Sequence, residues 1–436
     1  MRSMNWASLK VIYQFLAGLL IGCITAAILL LGTRVAAQAS RPQHYTVVQL
    51  GSLGGTSFLS GDMTINDRSW VDSASNLPGD MNHHAFVWIQ GQMTDLGTLG
   101  GPNSNVGGMN DRGDVTVGGA DTGILDPNGE DWCGFGTFQK CLSFIWHSGV
   151  RTLIPTLGGN NGDVSGIDGS GQLVLGFAET PVHDPTCIAP QFLGFEAFLW
   201  NRRTNNIQVL PPLAGDSDTA AFDMNDNGEV AGASGICTTG FVPSSAIHAV
   251  IWRNRVPIDL GNLGGNTSNA AFGVNNHGQV VGISTLSDNA TVHTFLWQDG
   301  QMTDLGTLPG DTFSFVGNIN DQGQVPIQSC DIKFNCRAAI WQDGVMTDMN
   351  TLIPSNTPLD LVVAAGVNSR GQIVGGAVDQ NGNLVPFLAT PVDDANADEV
   401  LATQQSGSGP RMRSENVRKA LRRAAFRRFR SVSTSN

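Results

Sequence analysis

The feature that most constrains this chain is an internal repeat. Between Trp252 and Trp297 stand four short apolar runs parted by turn residues, and the next 44 residues, up to Trp341, repeat the plan. The runs are of the type Met302-Thr-Asp-Leu-Gly, Ala271-Phe-Gly-Val-Asn, Gln279-Val-Val-Gly-Ile and His293-Thr-Phe-Leu-Trp. They alternate in polarity, favour β-branched residues and are bounded by Gly, Asn and Asp, a pattern for strands and not for helices. Four strands in about 44 residues is the period of a β-propeller blade.

The Trp that ends one run in each unit gives the blade count. Trp88, Trp146, Trp200, Trp252, Trp297 and Trp341 are spaced by 58, 54, 52, 45 and 44 residues, and a seventh unit ends at Pro386-Phe-Leu-Ala389 with Ala in the Trp place. The expected fold is therefore all-β, a single seven-bladed β-propeller over residues 45–391 with four strands per blade. Very short turns, such as Gln90-Gly-Gln92 and Gln342-Asp-Gly344, join each Trp run to the Asp-Leu run after it, so those two strands are hairpin neighbours within one blade. The repeat seen in sequence is thus offset from the blade. An orphan outermost strand at Tyr45–Gly51 precedes the first blade, and the last blade, with strands at Val363–Asn368, Gln372–Val378 and Val385–Thr390, lacks a fourth. The N-terminal strand is expected to complete it and leave no open seam.

Two recurring signatures are read as structural. Asn110-Asp-Arg-Gly113, Asn225-Asp-Asn-Gly228 and Asn320-Asp-Gln-Gly323 lie between first and second strands; they lack the ligand spacing of a calcium loop and suit a tight turn. The repeated Trp residues fit packing between blades. His84, His248 and His293 each stand four residues before a Trp, and equivalent positions on adjacent blades are too far apart to share an ion. Neither a metal site nor a cofactor is expected.

Charge excludes one class of partner. The net charge of −13 combines +3 in residues 1–40 and +8 in residues 411–436 with −24 in the body between them. So acidic a body repels phosphate backbones, and no nucleic acid is expected on it. The N-terminus carries Arg2 and Lys10 before an apolar run from Val11 to Leu31, then Ala37-Gln-Ala39 before Ser40. Residues 1–39 read as a signal peptide cleaved between Ala39 and Ser40, with a retained membrane anchor or lipid attachment at Cys23 as alternatives, and all three place the body outside the cytoplasm. Six cysteines remain beyond that run, an even number suited to an oxidising compartment. Fifteen connectivities are open to them, and the blade phase suggests Cys133–Cys141, Cys187–Cys237 and Cys330–Cys336.

Strands alternate in direction, so the tight turns share one face of the ring and the second-to-third-strand loops share the other. All the large insertions fall on the latter: 121–140 in blade 2, 179–195 in blade 3 and 235–247 in blade 4. Long loops on a rigid scaffold are where binding function concentrates. Within them Asp126, Glu130, Asp131, Trp132, His183 and Asp184 are the candidate ligand-binding residues. No His-Glu-x-x-His, Gly-x-Ser-x-Gly or phosphate-loop pattern occurs, and no catalytic residue is assigned.

Residues 84–101, His-Ala-Phe-Val-Trp-x-x-Gly-x-Met-Thr-Asp-Leu-Gly-Thr-Leu-Gly-Gly, resemble the bacterial extracellular HAF-repeat family. The resemblance runs from about residue 45 to 390; Ser143-Phe-Ile-Trp146, Ala197-Phe-Leu-Trp200 and Ala339-Ile-Trp341 keep the pattern without its His. It implies a secreted or surface protein and carries no catalytic residues to transfer. Some relatives end in a sorting signal with a Pro-Glu-Pro motif and a membrane helix; this chain shares only an Arg-rich end.

After the propeller, residues 392–413 read as a flexible linker, and 414–436 as a basic tail able to form a helix capped by Ser414, with Val417, Leu421, Ala424, Ala425 and Phe429 on one side. Anionic lipid, envelope polymer or the acidic body itself would suit such a segment. The expectation for the whole is a monomeric, secreted or surface-associated, non-enzymatic module that binds a glycan or a protein. A polysaccharide hydrolase or lyase using Glu130, Asp131 or Asp184, and a structural envelope or matrix protein, are the alternatives.

Overall fold

The computed structural model describes residues 43–56, 63–237, 246–392 and 412–427. The N-terminal apolar run with its Ala39–Ser40 junction, the tip of the blade 4 insertion and most of the linker lie outside them.

The described chain forms seven four-stranded antiparallel sheets, each from consecutive strands except the last. The seventh blade is built of β26 (Asp360–Val367), β27 (Ile373–Val378) and β28 (Leu384–Pro391), and β1 (Tyr45–Gln49) pairs with β28 from Tyr45↔Pro391 to Gln49↔Phe387. The ring therefore closes by the N-terminal strand. Tyr45 anchors it, buried with Leu352, Leu361 and Phe387.

The Asn that opens the Asn-Asp-x-Gly turn, and the matching Asn of its variants Asn66-Asp-Arg-Ser69, Asn275-Asn-His-Gly278 and Asn368-Ser-Arg-Gly371, does more than turn the chain. In Asn66, Asn110, Asn225, Asn275, Asn320 and Asn368 the side-chain Oδ1 accepts the N–H groups two and four residues on, the Asx geometry that fixes the turn. Each Nδ2 then donates to the next blade: Asn66 to the Asn110 carbonyl at 3.0 Å, Asn110 to Asp168, Asn225 to Asn275, Asn275 to Asn320, Asn320 to Asn368, and Asn368 to Asn66 at 3.0 Å. Blade 3 has Asp168 at this position, which caps its own turn through Gln172 and Leu173 N–H but has no amide to give to blade 4.

The repeated Trp residues sit between blades. Trp146 shares a cluster with Ala85 and Val87 of blade 1, Trp200 with Ile145 and Ile154 of blade 2, Trp252 with Leu175 and Ala197 of blade 3, and Trp297 with Ala249 and Ile251 of blade 4. The His of the repeat has a local partner. His84 Nδ1 lies 2.9–3.0 Å from both carboxylate oxygens of Asp95, and His293 stands in the same relation to Asp304, so in two blades the His-x-Phe and Asp-Leu-Gly signatures meet across the outer hairpin. Blade 4 departs: His248 turns to Asp216 at 2.9 Å instead.

Among the described residues three disulfides are present, Cys133–Cys141, Cys187–Cys237 and Cys330–Cys336, in the pairing the blade phase suggests. They suit an oxidising compartment outside the cytoplasm. No helix among the described residues is long and apolar enough to cross a membrane.

The C-terminal segment forms α1 (Glu415–Arg427), with the Ser414 hydroxyl accepting from Val417 N–H and the Ser414 carbonyl from Arg418 N–H. It lies on the protein's own body. Val417, Leu421 and Ala425 are buried in one cluster with Phe334 and the Cys330–Cys336 pair, Arg413 is ion-paired with Asp360, and the Arg422 guanidinium lies 5.4 Å from the Phe334 ring centroid.

Candidate functional site

The insertions of blades 2 and 3 are overgrown hairpins. The second strand of each, β7 (Val115–Leu125) and β11 (Leu173–His183), runs 11 residues against 6 for β27, so the hairpins project past the ring. Each is shaped at its base by the Gly-Gly pair in the loop that follows the outer strand of the preceding blade. In blade 3, Gly158 has φ +105°, and a Cβ on Gly159 would lie 2.4 Å from Cβ of Glu179, so only glycine lets β11 pass this close. That approach sets the Glu179 carboxylate over the Asn160 and Asn161 N–H groups, which donate to Oε2 at 3.1 and 3.0 Å.

Around Glu179 the two hairpins meet in a buried acidic cluster. Asp126 and Glu130, from the loop that follows β7, lie with Glu179 so that one oxygen of each is within 4.8 Å of the others. Asp126 Oδ1 accepts from Asn128 and Glu130 N–H and so folds the loop back on itself. Glu130 Oε1 accepts from Phe192 N–H at 2.7 Å and Leu193 N–H at 3.2 Å, tying blade 2 to the blade 3 hairpin. Asn161 Nδ2 stands among all three carboxylates, 2.9 Å from Asp126, 3.0 Å from Glu179 and 3.4 Å from Glu130. Gln191 Nε2 donates to Glu179 Oε1 at 3.0 Å. No Lys or Arg among the described residues is ion-paired with any of the three. Burial first, and then the Glu130 carboxylate hydrogen-bonded to it, push the Glu179 carboxyl well above its usual range.

The remaining candidates divide by exposure. Trp132 is fully buried, its ring centroid 5.7 Å from that of Phe177 and 5.5 Å from that of Phe195, so it packs blade 2 onto blade 3. Asp131 is buried as well, accepting Gly136 N–H to hold the loop, and burial raises its carboxyl. Asp126 and Glu130 are buried in the cluster. Of the six, only His183 and Asp184 reach solvent. The His183 ring lies tilted against Phe192, centroids 4.1 Å apart, and Asp184 accepts from the Thr186 N–H and hydroxyl, both at 2.6 Å. Asp184 also faces Asp218 of blade 4. Burial raises Asp218 to about 7, Asp184 adds to the rise, and the Ser217 hydroxyl and Phe195 N–H only partly offset it.

Two features of this face had no signal in the sequence. Glu179 stands out there only as the edge of an insertion, and Asn161, Gln191 and Asp218 carry no motif; the fold assembles them from blades 3 and 4. The second feature is an exposed apolar set. Ile124, Leu125 and Phe138 at the blade 2 hairpin tip and Val182, Ile188 and Phe192 at the blade 3 tip are each 46–71% exposed. A separate cavity of about 250 Å³ lies where the inner strands converge, lined by Val106, Asp163, Phe177, Phe222, Asp223 and Phe272. Its Asp223 is engaged by the Met224 and Val274 N–H groups.

The fold defines a class, the seven-bladed propellers with four strands per blade closed by the N-terminal strand. No protein-family model matches the chain, and no curated protein is similar to it. Among solved structures it is similar to oligogalacturonate lyase from Vibrio parahaemolyticus, at 10% identity and TM-score 0.47 over 82% of this chain and 96% of that one. It is also similar to the β-propeller domain of the Trilobed protease from Pyrococcus furiosus, at 10% identity and TM-score 0.46 over 79% and 98%. For Pyrococcus horikoshii acylaminoacyl peptidase the values are 9% and 0.45 over 79% of this chain, which spans about half, 54%, of that protein. None of these likenesses carries an activity to this chain.

Proposed function

We propose that the protein is a secreted or surface-associated binding module that engages a protein or glycan ligand with the hairpin tips of blades 2 and 3. One observation carries the reading: six large apolar side chains are exposed, three at each of those two tips, on hairpins pinned by Cys133–Cys141 and Cys187–Cys237. Large apolar side chains concentrated at exposed loop tips on a disulfide-braced support mark an interaction site. The resemblance of residues 84–101 to the HAF repeat, together with the three disulfides, supports an extracellular setting. The polysaccharide-cleaving alternative would draw on Glu130, Asp131 or Asp184, and only Asp184 reaches solvent.

The test is retention of the purified, disulfide-intact protein on immobilised polysaccharides and on envelope protein fractions, beside the double variant Leu125→Ser/Phe192→Ser. Both side chains are exposed, so the variant should melt like the wild type. Retention lost in the variant supports the reading. Equal retention moves the site elsewhere, and release of soluble oligosaccharide replaces binding with cleavage.

A further inference from the structure

We propose that the carboxylates of Asp126, Glu130 and Glu179 form a calcium site that locks the blade 2 hairpin to blade 3. Three observations lead there. The three ligand oxygens lie within 4.8 Å of one another, the span of a single ion at the roughly 2.4 Å calcium–oxygen distance. All three residues are buried and none is ion-paired with a Lys or Arg among the described residues; backbone N–H groups serve each one, but three like charges still face one another, a repulsion that protonation or a bound cation relieves. Asn161 Nδ2, with two hydrogens, faces three carboxylates and cannot satisfy them all.

Gln191 supplies an independent pointer. Its side chain is 2% exposed and reaches into the cluster, with Nε2 3.0 Å from Glu179 Oε1. The oxygen of the same planar amide has no hydrogen-bond partner among the described residues. Nε2 also holds the Leu193 carbonyl at 2.8 Å, and turning this amide over brings its orphaned oxygen to Glu179. With the three carboxylates it then makes a hard, all-oxygen donor set, the kind that calcium takes in flexible geometry and that magnesium, which keeps its waters, fills poorly. Binding there requires the Asn161 amide to swing aside. Its consequence is local: Glu130 holds Phe192 and Leu193, so the ion fixes the tilt of one apolar hairpin tip against the other.

The experiment is equilibrium dialysis of the full secreted protein against calcium after chelation, with magnesium as control, and melting in chelator and in calcium. One calcium bound with Kd on the order of 10⁻³ M or tighter, a Tm raised by calcium and not by magnesium, and loss of both in Glu179→Gln or Asp126→Asn are expected. Gln191→Met, which keeps size and removes the amide oxygen, should weaken binding at least several-fold and serves if the carboxylate variants do not fold. Absence of calcium binding by the wild type at millimolar concentration overturns the proposal. So does calcium binding that persists unchanged in every folded variant, which would place the ion among the exposed acidic residues.

Discussion

Asn368 of the last blade donates its Nδ2 to the carbonyl oxygen of Asn66 in the first, 3.0 Å away and 302 residues back in the chain. That bond closes a series of side-chain clasps around the turn face, broken only after blade 3, where Asp168 replaces Asn.

Asn320→Ala removes two Asx acceptor bonds, a donor to Gln324 Oε1 and the clasp to Asn368, leaving buried backbone groups without partners. Denaturant melts should show a loss of about 2–3 kcal/mol. Asp168→Asn keeps the turn acceptor and offers blade 4 the missing donor, so it should gain up to about 1 kcal/mol. A loss in Asp168→Asn would mean that the turns of blades 3 and 4 do not approach as the others do.

The His84–Asp95 pair is partly exposed, 18% and 43% at the side chains, so its worth is small. His84→Ala should cost roughly 0.5–1 kcal/mol, and the His293→Ala cost should add to it because the sites are independent. Burial opposes ionisation of Asp95, but the His84 hydrogen bond and the Gly97 N–H outweigh it and hold the carboxyl below its usual range. A depressed folded pKa contributes stability above the unfolded carboxylate pKa, near 4, and loses it as pH falls through the folded value. The cost of His84→Ala should therefore shrink in melts taken below about pH 3.

At the closure, Tyr45 is fully buried and its hydroxyl has no partner among the described residues. Tyr45→Phe should then stabilise by about 1 kcal/mol, whereas Tyr45→Ala should cost about 3–5 kcal/mol by opening a cavity against Phe387 and Leu361. Chemical denaturation of the two variants reads both signs.

Asp218 gives a pH signature of the opposite kind. Burial raises its carboxyl to about 7, above the unfolded value, so the folded state binds the extra proton between those two values and stability falls as pH rises through that window, levelling above 7. Between pH 5 and 8 the loss is on the order of 2–3 kcal/mol. Asp218→Asn keeps the acceptor for Phe195 N–H and should flatten that part of the profile. An unchanged slope in thermal melts would remove Asp218 as its source.

For α1, Leu421 is 1% exposed beside Phe334 and the Cys330–Cys336 pair. Leu421→Ala should cost about 2–4 kcal/mol of helix docking. Amide exchange should rise in residues 415–427 and stay slow in β26 to β28, since no strand of the ring depends on the helix for pairing.

The repeat by itself determined the number of blades, the four-strand unit, the offset of repeat from blade and thus the closing strand, because strand periodicity and turn chemistry are local properties that the sequence carries openly. The pairing of the cysteines followed from the same phase. Reading the Asn-Asp-x-Gly as a turn was right as far as a four-residue window reaches, but Asn66 and Asn368 meet only once the ring has closed. The candidate site was legible as a region and not as a mechanism: the loops were located, yet Glu130 and Trp132 are buried, because their neighbours Glu179, Asn161, Phe177 and Phe195 arrive from the next blade. Whether a polar side chain in a loop faces solvent or another carboxylate depends on contacts made in three dimensions, and only the tertiary structure decided that.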